Sequence, residues 1–318
     1  MRDNHAGPPP EQNVSLGMMF LFSEIIIGMG ISALVKQISG DVSFFVIMFY
    51  RYLASLPLLF LLGWHQRQKN LLQVKKVKTL VARIIMGTLG LSAWFNAVIY
   101  LPLSVATVLA QTMAIFITVM APFILGERVG AHRIGAVLIG FAGVVLLINP
   151  FSEADSSPLW GIGFAFGIAT PFFGALMFIF LRKLGQTEAP ISTTLWYNMT
   201  GTIIFFVIAF TDGPLIPQNL TEKDLIWFVM ILIGVASSAQ QFLMAKSHQL
   251  ASATVLAPVH YTAVPISIFI GVIFFNEVIT LPFLTGTSVI IGSTWYILQR
   301  EKYERLKIII KEPEAHRF

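Results

Sequence analysis

Hydrophobic positions in this chain fall in long blocks separated by short polar breaks. Blocks of about 20 residues have the length at which a helix crosses a hydrocarbon layer roughly 30 Å thick. The pattern predicts ten such spans, at 15–36, 42–63, 79–99, 103–125, 131–149, 159–182, 190–211, 224–246, 252–275 and 279–299. The longest connections are 64–78, which is basic, and 150–158 and 212–223, which are acidic or polar. A membrane β-barrel would need segments of about 10 residues with alternating polarity, and none is present. The fold class expected is therefore an all-α polytopic membrane protein.

A short phrase occurs twice: Ala106-Thr107-Val108-Leu109-Ala110 and Ala253-Thr254-Val255-Leu256-Ala257. A turn-like connection precedes each copy, Tyr100-Leu101-Pro102-Leu103 in one case and Ser247-His248-Gln249-Leu250 in the other. Each apolar run then ends near a glutamate, in Leu125-Gly126-Glu127 and Phe275-Asn276-Glu277, with about three extra residues in the second copy. Agreement of turn, phrase and acidic stop indicates an internal duplication. Ten spans divide into five and five, with the boundary between Asn149 and Pro158. Five is odd, so the second half enters the membrane from the opposite side, giving two inverted five-helix repeats. The expected organisation is a disordered tail over 1–14, a first repeat over 15–149 and an outer linker over 150–158, then a second repeat over 159–300 and a basic tail over 301–318. Inverted halves let a molecule exchange inward-open and outward-open forms at little energy difference, as many secondary transporters do.

Composition and charge sharpen this picture. The chain is 56% hydrophobic and 12% charged, with a mean hydropathy of +0.77; soluble chains carry roughly twice that charge. The polar leader to Asn13, with Pro8-Pro9-Pro10, reads as disordered. No small-residue cleavage site closes the first apolar run, so it is expected to remain as a helix. Eighteen of the 21 Lys and Arg fall on the side of the termini, with only Lys36 and Lys223 opposite and Arg51 inside a span. The positive-inside rule then places both termini in the cytoplasm of a cell with this protein in its inner membrane. Loop asymmetry thus accounts for the net charge of +5 without nucleic acid as a partner. The chain has no cysteine, which excludes disulfides and thiolate catalysis.

Function classes narrow in the same way. No P-loop, H-E-x-x-H or recognisable Ser/His/Asp set is present, so neither an ATP-driven pump nor an intramembrane enzyme is expected, and no cofactor is implied. Rings of like charge, as a channel would carry, are also missing. A secondary transporter working by alternating access remains, with a small organic solute and the lipid bilayer as its partners and a homodimer left open.

Polar residues inside the spans are where a solute site should be sought. A charge at the bilayer centre costs about 2.5–3.5 kcal/mol even on the mild insertion scale. Glu24 lies about 12 residues and Arg51 about 9 from the outer ends of their spans, roughly 18 and 14 Å deep. Two roles stay open: an ion pair locking the first two spans, with Arg51 as a structural or coupling charge, or Glu24 facing the cavity as a cation or proton site. His260, beside Tyr261 and just after Pro258, falls where an irregular helix tends to line a cavity. It is a proton relay or a satisfied interior residue, and no second histidine is placed to share a metal with it.

Gln111 and Thr112 follow the first phrase, and Pro258 and Val259 the second, so these pairs are expected to face each other across the pseudo-axis. Trp94 and Asn96 correspond, by the same offset of 147 (253 minus 106), to Gln241 and Leu243. The substrate contacts expected are Glu24, Trp94, Asn96, Gln111, Thr112, Gln240, Gln241, His260 and Tyr261. Their amides, hydroxyls and rings suit a bound organic molecule, although such groups also join helices to one another. Tyr50, Trp196 and Trp295 read as packing or interface aromatics. Glu127 and Glu277 read as structural residues at span ends, with capping or loop bonds as their role.

The runs Leu101-Pro-Leu-Ser-Val-Ala-Thr107, Leu125-Gly-Glu-Arg-Val129 and Gly140-Phe-Ala-Gly-Val-Val-Leu-Leu-Ile-Asn-Pro150 resemble the first EamA repeat of the drug/metabolite transporter superfamily. Ala257-Pro-Val-His-Tyr261, Phe275-Asn-Glu277 and Tyr296-Ile-Leu-Gln-Arg-Glu301 are similar to the closing part of the second. The Lys36-to-Asp41 turn and Phe49-Tyr-Arg51 fit the opening helices. The resemblance implies ten helices around a central cavity. It also implies transport of amino acids or other metabolites; with Glu24 free in the cavity, export or exchange of an amino acid or related zwitterionic or cationic solute is expected. The alternative it carries is import of a vitamin or nucleoside-type metabolite such as riboflavin or S-adenosylmethionine. Glu24 departs from the usual pattern, in which a small or aromatic residue is expected.

Overall fold

A computed structural model describes residues 14–65, 71–125, 131–148, 158–184, 187–215, 223–250 and 259–311. Eleven helices are described: α1 Val14–Ile38, α2 Phe44–His65, α3 Val77–Tyr100, α4 Leu103–Ala110, α5 Met113–Leu125, α6 Ala131–Ile148, α7 Pro158–Leu184, α8 Pro190–Asp212, α9 Lys223–Leu250, α10 Ala263–Phe275 and α11 Leu281–Lys311. Every expected span overlaps one or more of them. Six, within α1, α2, α3, α7, α8 and α9, are long and apolar enough to cross a membrane, and shorter apolar helices run over Leu103–Ile117, Gly135–Leu147 and Ala263–Phe275. Glu127, Pro258 and the second copy of the repeated phrase lie outside the described residues.

The fourth span is two helices, which hydropathy did not foretell. α4 stops at Ala110, and at Thr112 the backbone N–H and the hydroxyl both donate to Leu109 O, at 3.0 and 2.7 Å. One side chain thereby satisfies a carbonyl that the interrupted helix leaves exposed. α5 restarts with Ile115 N donating to Thr112 O at 2.9 Å. The same arrangement recurs before α10, where Thr262 N and Oγ1 donate to Val259 O at 3.0 and 2.7 Å. These two threonines are 150 positions apart (262 minus 112), not 147. The three extra residues of the second copy thus precede its break, and Gln111 matches Tyr261 rather than Pro258.

Small residues let the helices approach closely. A Cβ on Gly234 of α9 would stand 2.4 Å from Ala54 Cβ and 3.2 Å from Tyr50 O of α2. One on Gly286 of α11 would stand 2.6 Å from the Leu147 backbone N of α6. α1 packs along α9, α3 along α7, α2 along α8 and α9, and α6 along α11. Large apolar side chains also cover the outside, Phe123 at 87% exposure and Phe210 at 68% among them. An apolar exterior of this extent suits lipid rather than water.

The two ends of the bundle are tied differently. At the end holding the α1–α2 turn, Ser43 Oγ donates to Asp212 Oδ2 at 2.6 Å. At the other end the Glu188 carboxylate accepts from the backbone N–H of Lys75 and Lys76 at 3.0–3.1 Å, holding the chain as it enters α3. Burial pushes the Glu188 carboxyl up, but those N–H groups, the Thr187 hydroxyl and the Lys75 charge outweigh it and hold the group below its ordinary value. Trp196 Nε1 donates to Leu72 O at the same end, at 3.0 Å. Tyr50 packs edge-on against Trp227, and Trp295 is half exposed, as expected of packing and interface aromatics.

Candidate functional site

The centre of the bundle is marked by Trp94, which packs against three separate apolar clusters. α3 presents it toward α1, where its indole N–H donates to Ser32 Oγ at 3.1 Å and Ser32 in turn donates to Gly28 O at 2.9 Å. One turn before Gly28 on the same helix lies Glu24, only 9% exposed. Its Oε1 accepts from Gln240 Nε2 of α9 at 2.9 Å. Gln240 reaches it across Gly28, where a Cβ would stand 2.5 Å from that same nitrogen. Glu24 follows Val14 by ten residues and Gln240 precedes Leu250 by ten, so both sit roughly 15 Å from one end of the bundle.

Arg51 does not pair with Glu24 among the described residues. It is 5% exposed, its guanidinium lies 5.4 Å from the Tyr52 ring and 5.5 Å from the Phe95 ring, and Nε and Nη1 have no hydrogen-bond partner. Ring faces offer a cation partial compensation in an apolar setting. Of the two roles left open by the sequence, the locking ion pair is not formed, and Glu24 is held by an amide.

The breaks in the fourth and ninth spans meet. Gln111 Nε2 donates to His260 O at 3.2 Å, joining the α4–α5 junction to the start of α10. Tyr261, next to it, has a buried hydroxyl with no hydrogen-bond partner. Thr112 is fully buried, its hydroxyl committed to Leu109 O. Asn96 donates to Ser92 O of its own helix at 2.8 Å. Gln241 Oε1 accepts from Asn198 Nδ2 at 3.2 Å, leaving Gln241 Nε2 and Asn198 Oδ1 buried without partners. Buried polar atoms of this kind cost about 1–3 kcal/mol each when unmade, so each is open to a polar partner. Among the described residues, no three His, Cys, Asp or Glu are grouped to hold a metal ion.

Structure thus gathers Glu24 with Gln240, Gln111 with His260, and Gln241 with a residue that the sequence did not single out. Asn198 had a signal: it stands 147 after Arg51, and Trp196-Tyr197-Asn198 echoes Phe49-Tyr50-Arg51. Ser32 and Gly28 carried no comparable mark. Arg83, one of the eighteen basic residues counted on the side of the termini, is 8% exposed and stacked 4.1 Å over the Tyr197 ring. The Tyr197 hydroxyl accepts from Tyr52 at 2.8 Å and donates to Gly87 O at 3.2 Å, linking α2, α8 and α3.

The model of the EamA-like transporter family matches residues 15–149 and again 160–299. A pseudopaline exporter of Pseudomonas aeruginosa is 26% identical over 248 residues, covering 78% of this chain and 83% of that protein. A riboflavin transporter of Rhizobium johnstonii is 25% identical, covering 70% of each chain. An S-adenosylmethionine uptake transporter of Rickettsia bellii is 26% identical over 292 residues, covering 91% and 95%. One solved crystal structure superposes with a TM-score of 0.62 at 14% identity, covering 87% of this chain and 94% of that one, a likeness of fold alone. Matched twice along nearly its whole length, the chain belongs to the EamA-like transporter family.

Proposed function

We propose that this transporter carries a small organic solute with a cationic or zwitterionic head by alternating access. It crosses the bilayer ten times as two inverted halves, with both termini in the cytoplasm. The observation that carries the substrate class is Glu24, a deeply buried carboxylate whose partner is the neutral amide of Gln240. A carboxylate at that depth is stabilised by a positive charge arriving with the solute. Trp94 contributes a ring face, and the Tyr261 hydroxyl and Gln241 amide contribute free hydrogen-bonding atoms. Support for inverted halves comes from the packing. Exchanging the halves turns the α1–α9 pair into α7–α3 and returns α2–α8 and α6–α11 to themselves, and all of these pairs are in contact.

Export or exchange is the direction we favour, in keeping with the pseudopaline exporter. Uptake is the second reading, and the S-adenosylmethionine uptake transporter, matched over 91% of this chain, favours it; a sulfonium centre is itself a cation. Thermal-shift screening of the purified protein against amino acids, polyamines, nucleosides, riboflavin and sulfonium or quaternary ammonium metabolites selects the solute. Counterflow in proteoliposomes loaded with the hit should be saturable. If neutral and anionic solutes alone stabilise the protein, the cationic class is wrong; a non-saturating flux would point to a channel.

A further inference from the structure

Two lysines stand at matching places in the two halves. Lys36 and Lys183 are separated by 147 positions (183 minus 36), the offset of the repeated phrase. Each sits in the last turn of the first helix of its half, α1 or α7, at opposite ends of the bundle. Lys36 Nζ donates to Val98 O at 2.8 Å and to Leu101 O, both at the C-terminus of α3. It lies 5.4 Å from the Phe275 ring, and the Glu277 carboxylate is near enough to attract it. Glu277 folds back from the end of α10, where Asn276 takes the left-handed conformation at φ 52° and Glu277 N bonds Gly271 O at 3.0 Å. Its carboxylate accepts from Leu103 N and from Ser104 N and Oγ, the latter two at 3.1 and 2.6 Å, capping α4. A cation on helix C-terminal carbonyls and an anion on a helix N-terminus both match the helix dipoles. Together they stitch α1, α3, α4 and α10 shut at this end.

Lys183 is placed differently. By the same offset, Val98 and Leu101 correspond to Ala245 and His248 in the last turns of α9. Among the described contacts, Lys183 Nζ instead donates to Ile124 O of α5 at 3.2 Å. An independent pair of contacts carries the same asymmetry. Gly87 and Gly234 are 147 apart, as are Tyr50 and Tyr197. At Gly234 the backbones of α9 and α2 touch, whereas the nearest atoms to a Cβ on Gly87 are the Tyr197 ring at 3.1 Å and Met177 Cγ at 3.2 Å. A tyrosine ring, with Arg83 over it, stands where the other half has direct helix contact.

We propose that Lys36 and Lys183 are alternating latches. Lys36 holds its end closed in the conformation described; in the opposite one it lets go, and Lys183 leaves Ile124 O for the carbonyls of Ala245 and His248. This inference rests on the alternating-access reading. Both lysines are positioning residues that touch no solute, so the test reads conformation rather than transport.

With no cysteine in the chain, Gln111→Cys gives a single label site at the junction of the broken helices. Its reaction with a membrane-impermeant maleimide is followed from each face of oriented vesicles. Lys36→Met should raise the rate from the Lys36 face several-fold, and Lys183→Met should lower it and raise the rate from the other face. Lys36→Arg, retaining charge and reach, should label as the parent does. If a methionine variant fails to fold, the glutamine variant at that position is read instead. Shifts in the same direction, or rates from both faces indifferent to both lysines, would overturn the latches alone. Labelling from one face only in every variant would remove alternating access itself.

Discussion

Glu24 shows how one residue can be held in the membrane without an opposite charge. Its hydrogen bond to Gln240 depends on Gly28, because any side chain there would meet the Gln240 amide. Gly28→Ala should therefore leave the melting temperature in detergent almost unchanged, since the atom displaced is the tip of a flexible side chain. It should still weaken solute binding, measured as a smaller ligand-induced thermal shift. Glu24→Gln removes the charge and retains the shape. Losing a charged hydrogen bond to the solute should cut transport by about tenfold or more with folding intact. Unchanged transport in that variant would reduce Glu24 to a helix-joining residue. Neither Gly28 nor Gln240 could be assigned to Glu24 from sequence, because the partners are 216 positions apart and meet through the rotation of α1 against α9.

At the scale of elements, the breaks after Ala110 and before Ala263 are each closed by a threonine that bonds the carbonyl three residues back. Thr112→Val should remove that bond and cost about 1 kcal/mol in unfolding measurements, and Thr262→Val should cost the same. A much smaller loss would mean that the break is held by packing. α3 begins on Glu188, whose carboxyl is held below its ordinary value. A lowered folded-state value stabilises the fold above the unfolded value and loses that contribution as pH falls through the folded one. Glu188→Gln should accordingly lower the melting temperature at pH 7, and the difference from the parent should begin to narrow as the pH falls below about 4.3, the ordinary glutamate value, and close once it has passed the lower folded-state value. A gap that persists in acid would show that the amide itself disrupts the turn. Span length and position were legible because hydropathy is a local sum, but the breaks were not. Gln111 and Thr112 lower the hydropathy of their block too little to register, and what separates α4 from α5 is a hydrogen-bond choice.

For the whole molecule, orientation is the expectation most open to direct test. Asp41→Cys, in the α1–α2 turn, should react with an impermeant maleimide on intact cells, and Lys76→Cys, at the start of α3, only after permeabilisation. The reverse pattern would invert the molecule and with it the side closed by Lys36. Packing across the halves also shows why the duplication was readable while its consequence was not. The phrase and its acidic stop survive as letters, but whether Lys36 and Lys183 occupy equivalent bonds is a property of the conformation.

Sequence alone determined that the chain is helical and membrane-embedded, where its apolar spans lie, and that a motif recurs in each half. These follow from composition summed over neighbouring residues and from the cost of leaving backbone polar groups unpaired in lipid. Tertiary structure alone decided that Glu24 meets Gln240 instead of Arg51, that Gln111 meets the His260 backbone, and that one end is stitched by Lys36 and Glu277. Such pairings depend on the depth and rotation of each helix against its neighbours, which close packing sets and no single stretch of sequence contains.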